Sequence, residues 1–240
     1  MALIKLTAIV DNISGKLNGT VFARNKGGHY MRSKSNPTNP KSIFQMAVRG
    51  DFGAMAGAWR QLPQAIRNAW DAAAPDFPYQ NRLGDTKILS GFSLFMKLNQ
   101  NLEVAGATPD FDRNIVPLGV SQPTFVGAVL MSPGPTSQAL LEVNVERTES
   151  QQTNTMLVYA TPQFSPGIKN FENKLRLIAT QAVVEGSGNV NFDFTEEWED
   201  RFGTLTEPGG KIGVAVRFIN NISGEGSVQV SYSDIVIQAD

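Results

Sequence analysis

The sequence predicts an α+β chain: an amino-terminal β-hairpin arm and a short helical bundle, followed by an antiparallel β-sandwich of fibronectin or immunoglobulin type. Three observations predict it. Glycine-punctuated alternation runs through the first 40 residues; apolar residues recur at helical spacing between 41 and 106; beyond residue 123 the period falls to two and stays there. The 240 residues divide accordingly into a basic hairpin and extended arm (1–40), a helical segment (41–106), a linker (107–123) and a β-domain (124–240).

Within the arm, Ile4, Leu6 and Ile9 read as a short strand running into turns at Asp11-Asn12 and Ser14-Gly15. Val21-Phe22-Ala23-Arg24 and His29-Tyr30-Met31-Arg32 then flank Asn25-Lys26-Gly27-Gly28. Glycine accepts positive φ without strain, so a Gly-rich turn between two alternating runs predicts a hairpin. Ser33 to Asn39 is expected to be extended, because Pro37 and Pro40 push the residues before them out of helical space. Few core formers lie here, and fixing the chain costs roughly 1–2 kcal/mol per residue. The arm is therefore expected to be held by a partner, the intramolecular alternative being that it wraps its own helices.

The first helix is expected from Asn39 as cap and Pro40 as first residue, where the missing N–H would have gone unpaired. Phe44, Val48, Phe52, Met55 and Trp59 recur on one face. Roughly opposite run Ala47, Gly50, Ala54 and Gly57, with Gly53 nearby. Glycine costs a helix about 1 kcal/mol relative to alanine. The stripe therefore predicts close packing on that side, against another helix of the chain or a neighbouring subunit. Pro63 opens a second helix, with Ile66, Trp70 and Ala73 inward, ending near Pro75. After a polar loop at 76–89, Ser90 is suited to cap a third, with Phe92, Phe95, Met96 and Leu102 toward a core and Gly106 as its stop.

Residues 107–119 are irregular and carry two prolines, as linkers do. Strands are then expected at 124–130, 139–147, 154–161, 174–184, 188–194, 211–219 and 228–238. Leu141, Val143 and Val145 alternate with polar residues, and Ile212, Val214, Val216 and Phe218 with small or polar ones. Turns fall at Pro133-Gly134, Pro166-Gly167, Gly186 to Gly188, Gly209-Gly210 and Gly224 to Gly226. Seven short strands with such punctuation are the pattern of a β-sandwich.

Candidate chemistry is sparse. Without cysteine there are no disulfides, thiol nucleophiles or thiolate metal sites. His29 is the one histidine, which removes histidine clusters and leaves any His-based triad dependent on a hairpin residue. Gly15-Lys16-Leu17-Asn18-Gly19-Thr20 lacks the residue order of a phosphate loop. Glu196, Glu197, Glu199 and Asp200 crowd around Trp198, with Phe194 and Phe202 flanking; such crowding reads as the solvated face of a short amphipathic turn. Asp110 and Asp112 are two ligands without the rest of a calcium loop. No enzyme, cofactor or metal is expected. The first seven residues do not read as a secretory signal and no run of eighteen apolar residues occurs, so the expectation is synthesis in a cytoplasm.

Charge is the informative quantity. The net is −1, but residues 1–105 hold thirteen Lys and Arg against six Asp and Glu, whereas residues 106–240 hold eight against sixteen. The arm itself carries Lys5, Lys16, Arg24, Lys26, Arg32 and Lys34, with Lys41 just beyond it, against Asp11. A polyanionic partner, or head-to-tail packing between copies, follows from such asymmetry. The arm's candidate contact residues are Phe22, Arg24, Lys26, Tyr30, Arg32 and Lys34; those for close helix packing are Ala47, Gly50, Ala54 and Gly57.

The run from Gly15 to Ser42, then Gln45, Arg49, Ala56 to Leu62, Arg67 to Trp70, Leu89 to Asn99 and Lys211 to Asn220, resembles a group of virion-associated proteins of tailed phages and prophages, especially of Bacteroidota. The resemblance implies an auxiliary head or portal-vertex component. Its arm and helices would dock on capsid subunits and on copies of itself, and it brings no catalytic residues. The alternatives are a nucleic-acid-binding protein using the basic arm, and a tail, neck or surface-adhesion β-domain.

Overall fold

The computed structural model describes residues 2–3, 13–25, 28–36, 38–80, 86–113, 115–134, 138–150, 153–183, 186–205 and 208–238. They fall into two units, Met1–Ala47 and Val48–Asp240. Helices and antiparallel sheets are both present, so the fold class is α+β.

The first unit holds β1 (Ala2–Leu3), β2 (Gly15–Leu17), β3 (Thr20–Asn25) and β4 (Gly28–Ser33), in the order β1-β4-β3-β2. The hairpin forms where the alternation places it, with Phe22 opposite Met31, Ala23 opposite Tyr30 and Arg24 opposite His29. A second hairpin joins β2 to β3, pairing Leu17 with Thr20 across Asn18-Gly19. Asn18 takes φ 50°, a left-handed conformation that asparagine tolerates. The Gly15–Thr20 segment is thus a strand and its tight turn at Asn18-Gly19, not a phosphate loop.

In α1 (Ile43–Gln61) the start differs from the expectation. Lys41 lies at φ 49°, so the helical path cannot run through it from Pro40. Ser42 takes over the cap, its Oγ accepting from Gln45 N at 3.4 Å and its carbonyl from Met46 N at 2.9 Å, while Asn39 turns back to accept from Lys41 N. In the second unit, α2 (Gln64–Ala73) follows Pro63, a 3₁₀ turn covers Ala74–Asp76, and the two-residue strands β5 (Tyr79–Gln80) and β6 (Thr86–Lys87) pair. Ser90 caps α3 (Gly91–Val104) through Ser93 N, and Gly106 at φ 73° ends it. Trp70, Leu94, Phe95 and Leu98 are essentially inaccessible, and Phe95 takes Trp59 and Trp70 at ring-centroid distances of 5.1 and 5.2 Å. Gly91 is required here: a Cβ on it would sit 2.6 Å from Asp71 N, where α2 and α3 nearly touch.

The remaining strands are β7 (Pro123–Ser132), β8 (Leu140–Ser150), β9 (Asn154–Ala160), β10 (Arg176–Val183), β11 (Gly186–Asp193), β12 (Lys211–Asn220), β13 (Val230–Ile235) and β14 (Ile237–Gln238). They form two sheets, β10-β9-β12-β13 and β11-β8-β7-β14. Leu141, Val143 and Val145 of one sheet share a core with Met156, Val158, Val214, Val216 and Phe218 of the other. Two features differ from the sequence reading. The last expected strand is split at buried Val236, where the chain leaves one sheet for the other, so Ile237 and Gln238 run parallel to Met131 and Ser132. The segment read as a turn after β11 is the helix α4 (Thr195–Phe202), anchored by Trp198, whose Nε1 donates to Thr161 O at 2.9 Å.

The described residues of 107–122 form neither helix nor strand, and Pro123 opens β7. They are nonetheless fastened to the β-domain: Leu118 N and Gly119 N both donate to Glu225 Oε2, and Asn220 Nδ2 donates to Gly119 O. Among the described residues no helix is long and apolar enough to cross a membrane.

Candidate interaction surfaces

Register decides what the hairpin can present. On one face stand Phe22 and Met31 as a pair, with Arg24 and His29 beside them. On the other, Lys16, Val21 and Arg32 form one row and Ala23 and Tyr30 the next. The candidate arm residues are therefore divided: Phe22 and Arg24 point one way, Tyr30 and Arg32 the other. Lys34 lies just past the sheet, its N–H donating to Gly19 O. Lys26 is outside the described residues. No side chain described between 13 and 50 is buried. His29 Nδ1 is the exception at atom level, shielded and without a hydrogen-bond partner among the described residues.

The second surface is α1. Its stripe from Val48 through Phe52, Met55 and Trp59 to Leu62 begins exposed and ends in the core: Val48 is 60% and Phe52 52% exposed, Met55 6%. Ile43, at 84%, and Met46, at 50%, lie on the opposite side. Ala47, Gly50 and Ala54 are exposed and Gly57 half-exposed, and a Cβ built on Gly50, Gly53 or Gly57 meets no atom within 4 Å. The stripe thus faces open space rather than another helix. Helical periodicity found this face; that its first half would lie outside the core was not legible, because the period is the same throughout.

Sequence reasoning overlooked Arg113. Its guanidinium lies 5.1 Å above the Trp70 ring and donates to Asn99 Oδ1, Asp110 O and Ser223 O at 2.6, 2.7 and 3.2 Å. Burial pulls its pKa down to about 10, with Asp110 opposing. It remains a cation near neutrality, tying α3, the 107–113 loop and the turn after β12 together. Asp110 and Asp112 are part of that loop, Asp112 N donating to Asp110 Oδ1. Nothing in the sequence flags Arg113, since its partners lie 14 and 110 residues away.

The acidic segment borders a hollow of about 400 Å³ lined by Asp193, Thr195, Glu196, Glu197, Glu199 and Asp200 on one side and Gln138 and Ala139 on the other. Asp193 Oδ1 accepts from Thr195 N and Oγ1, and Glu199 Oε1 from Leu205 N. Among the described residues no three of His, Cys, Asp and Glu are grouped to hold a metal ion.

No protein-family model matches the chain, and no curated protein sequence matches it. Among solved structures it is similar to a β-glucosidase from Listeria innocua, at 12% identity and a TM-score of 0.25, over 50% of this chain and 16% of that one. A second β-glucosidase, involved in saponin metabolism from intestinal bacteria, is matched at 12% identity and a TM-score of 0.27, over 70% of this chain and 21% of that one. The chain spans about a fifth or less of either enzyme's length, and likeness at this level carries no argument about activity.

Proposed function

We propose that this chain is a non-enzymatic structural protein of a tailed-phage virion, an auxiliary head or portal-vertex component that docks through its amino-terminal arm and first helix. The observation that carries the reading is α1. Nine of its first twelve residues are apolar or glycine, and all but Asp51 of residues 43–54 are exposed. A helix apolar around most of its circumference belongs in a largely buried setting, and contiguous exposed apolar surface of this kind marks an interaction site. The basic arm leading into it, with no buried side chain among its described residues, suits a segment that orders against neighbours. The resemblance from Gly15 to Asn220 supplies the setting.

The β-domain fits the same role as a spacer or contact module, and we assign it to the fibronectin and immunoglobulin type. Numbered from β7 as the first of seven strands, its sheets run fifth-second-first and fourth-third-sixth-seventh, and the end of the chain returns parallel to the first strand. Such Greek-key ordering of two packed sheets supports that assignment.

Electron microscopy of particles from a phage-producing culture, with mass spectrometry of the same fraction, tests the reading. The expected result is this chain at many copies, with α1 covered by a neighbour; particles lacking it overturn the proposal. One observation favours a second reading. Lys16 and Arg32 flank Val21 on one hairpin face beside Tyr30, an arrangement suited to tracking phosphates. Duplex DNA binding that weakens steeply with salt and disappears on Lys16→Glu with Arg32→Glu is its signature.

A further inference from the structure

The outer face of the β11-β8-β7 sheet is unpartnered and acidic. Val143 and Val145 point into the core, so Glu142, Asn144 and Glu146 point out. Across the register Glu142 faces Asp193, two like charges side by side, and neither is paired with a lysine or arginine among the described residues. Directly opposed like charges destabilise a sheet unless something neutralises them. Asp193 continues into the hollow at the start of α4, where Glu196, Glu197 and Asp200 add to the same surface and Arg201 is the one cation on the helix.

A separate feature points to the missing charge. The bulge between Phe125 and Gly127 leaves an open hollow of about 240 Å³ lined by Val126, Gly127, Ala128, Val129, Glu142 and Asn144. Asn144, one of its lining residues, has a shielded Oδ1 without a hydrogen-bond partner among the described residues. A buried acceptor left unsatisfied costs free energy until a donor reaches it. Beside it stands the Glu142 carboxylate. A lysine or arginine end suits both, since it carries several donors and the opposite charge.

We propose that this acidic sheet face is the docking surface for the basic amino-terminal unit of a second copy of this chain, giving a head-to-tail contact. Charge complementarity selects that occupant: between residues 13 and 47 the chain carries Lys16, Arg24, Lys26, Arg32, Lys34 and Lys41 and no acid. The hairpin presents Lys16 and Arg32 on one face and Arg24 on the other. Each copy offers one surface and accepts on the other, so the contact is heterologous and propagates into a ring or a filament. This inference rests on the reading that the arm docks on protein, and it names the receiving surface.

Sedimentation velocity of the full chain tests it, at low ionic strength and at about 1 M salt, where the screening length is about 3 Å. Concentration-dependent association that salt abolishes is expected. Glu142→Lys with Glu146→Lys and Glu196→Lys should weaken it tenfold or more, as should Arg24→Glu with Arg32→Glu and Lys34→Glu. Mixing the two variants should restore association, since the intact arm of one meets the intact face of the other and the two reversed surfaces are again opposite in charge. Asn144→Leu should weaken association without lowering thermal stability, which a purely structural Asn144 would not do. A monomer at every salt concentration overturns the proposal, as does association that neither reversal disturbs or a salt-sensitive complex formed only when duplex DNA is added. Mass spectrometry of particles decides the virion reading separately, because a chain that never self-associates would still be found there.

Discussion

Arg113 illustrates how a single side chain joins elements that the sequence keeps apart. Its three direct acceptors are uncharged oxygens, so burial lowers its pKa with the Asp110 charge opposing only in part, and the cation is held by hydrogen bonds and by the Trp70 ring. Arg113→Ala would leave Asn99 Oδ1, in a fully buried residue, without its donor. A loss of about 1–3 kcal/mol in urea unfolding is expected; an unchanged midpoint would show the guanidinium to be idle. Gly224 is equally constrained, at φ 77° with a Cβ that would sit 2.9 Å from Leu98 C. Gly224→Ala should cost at least about 1–2 kcal/mol for the left-handed backbone alone, read in the same unfolding experiment.

At the scale of elements, α1 separates stability from docking. Because a Cβ at Gly50 or Gly57 meets nothing within 4 Å, Gly50→Ala and Gly57→Ala should each stabilise the free chain by about 1 kcal/mol, measured by thermal unfolding. Gly50→Leu with Gly57→Leu should likewise leave the β-domain folded, yet block incorporation into particles if a neighbour packs against the stripe. Incorporation at the wild-type level would remove the stripe from the interface. β12 shows a different lesson. Its alternation suggested one buried face, but Gly213 and Ala215 are buried as well as Val214 and Val216, because Phe171 is laid over Gly213 by the loop after β9. Periodicity within a strand carries no information about a loop that returns to cover its second face.

For the whole molecule, the two units differ in how they are held. Residues 48–240 have two apolar clusters, one around Trp70 and Phe95 and one between the sheets. The described side chains of 13–47 bury none of their number. Limited trypsin digestion should therefore cut first at Lys16, Arg24, Arg32, Lys34 and Lys41 and leave a resistant fragment that starts at or beyond Ser42, identified by mass spectrometry. Initial cleavage within the β-domain would contradict that ordering. Assembly on a partner should protect the same sites.

By itself the sequence determined the local elements: the hairpin from its glycine turn, α2 from Pro63, α3 between Ser90 and Gly106, and seven strand segments in the β-domain, of which only the last is divided in the structure. These depend on backbone preference and hydrophobic period, which act over a few residues. It also determined the separation of charge between the halves, a sum that needs no coordinates. Tertiary structure decided the rest. That Arg24 and Arg32 leave the hairpin on opposite faces follows from strand register, and that the α1 stripe runs out into solvent follows from where the helical core ends. The switch of Val236 between sheets and the Arg113 clamp both arise from partners distant in the chain. Spacing along a sequence records which face a residue takes; only the packed chain fixes what that face meets.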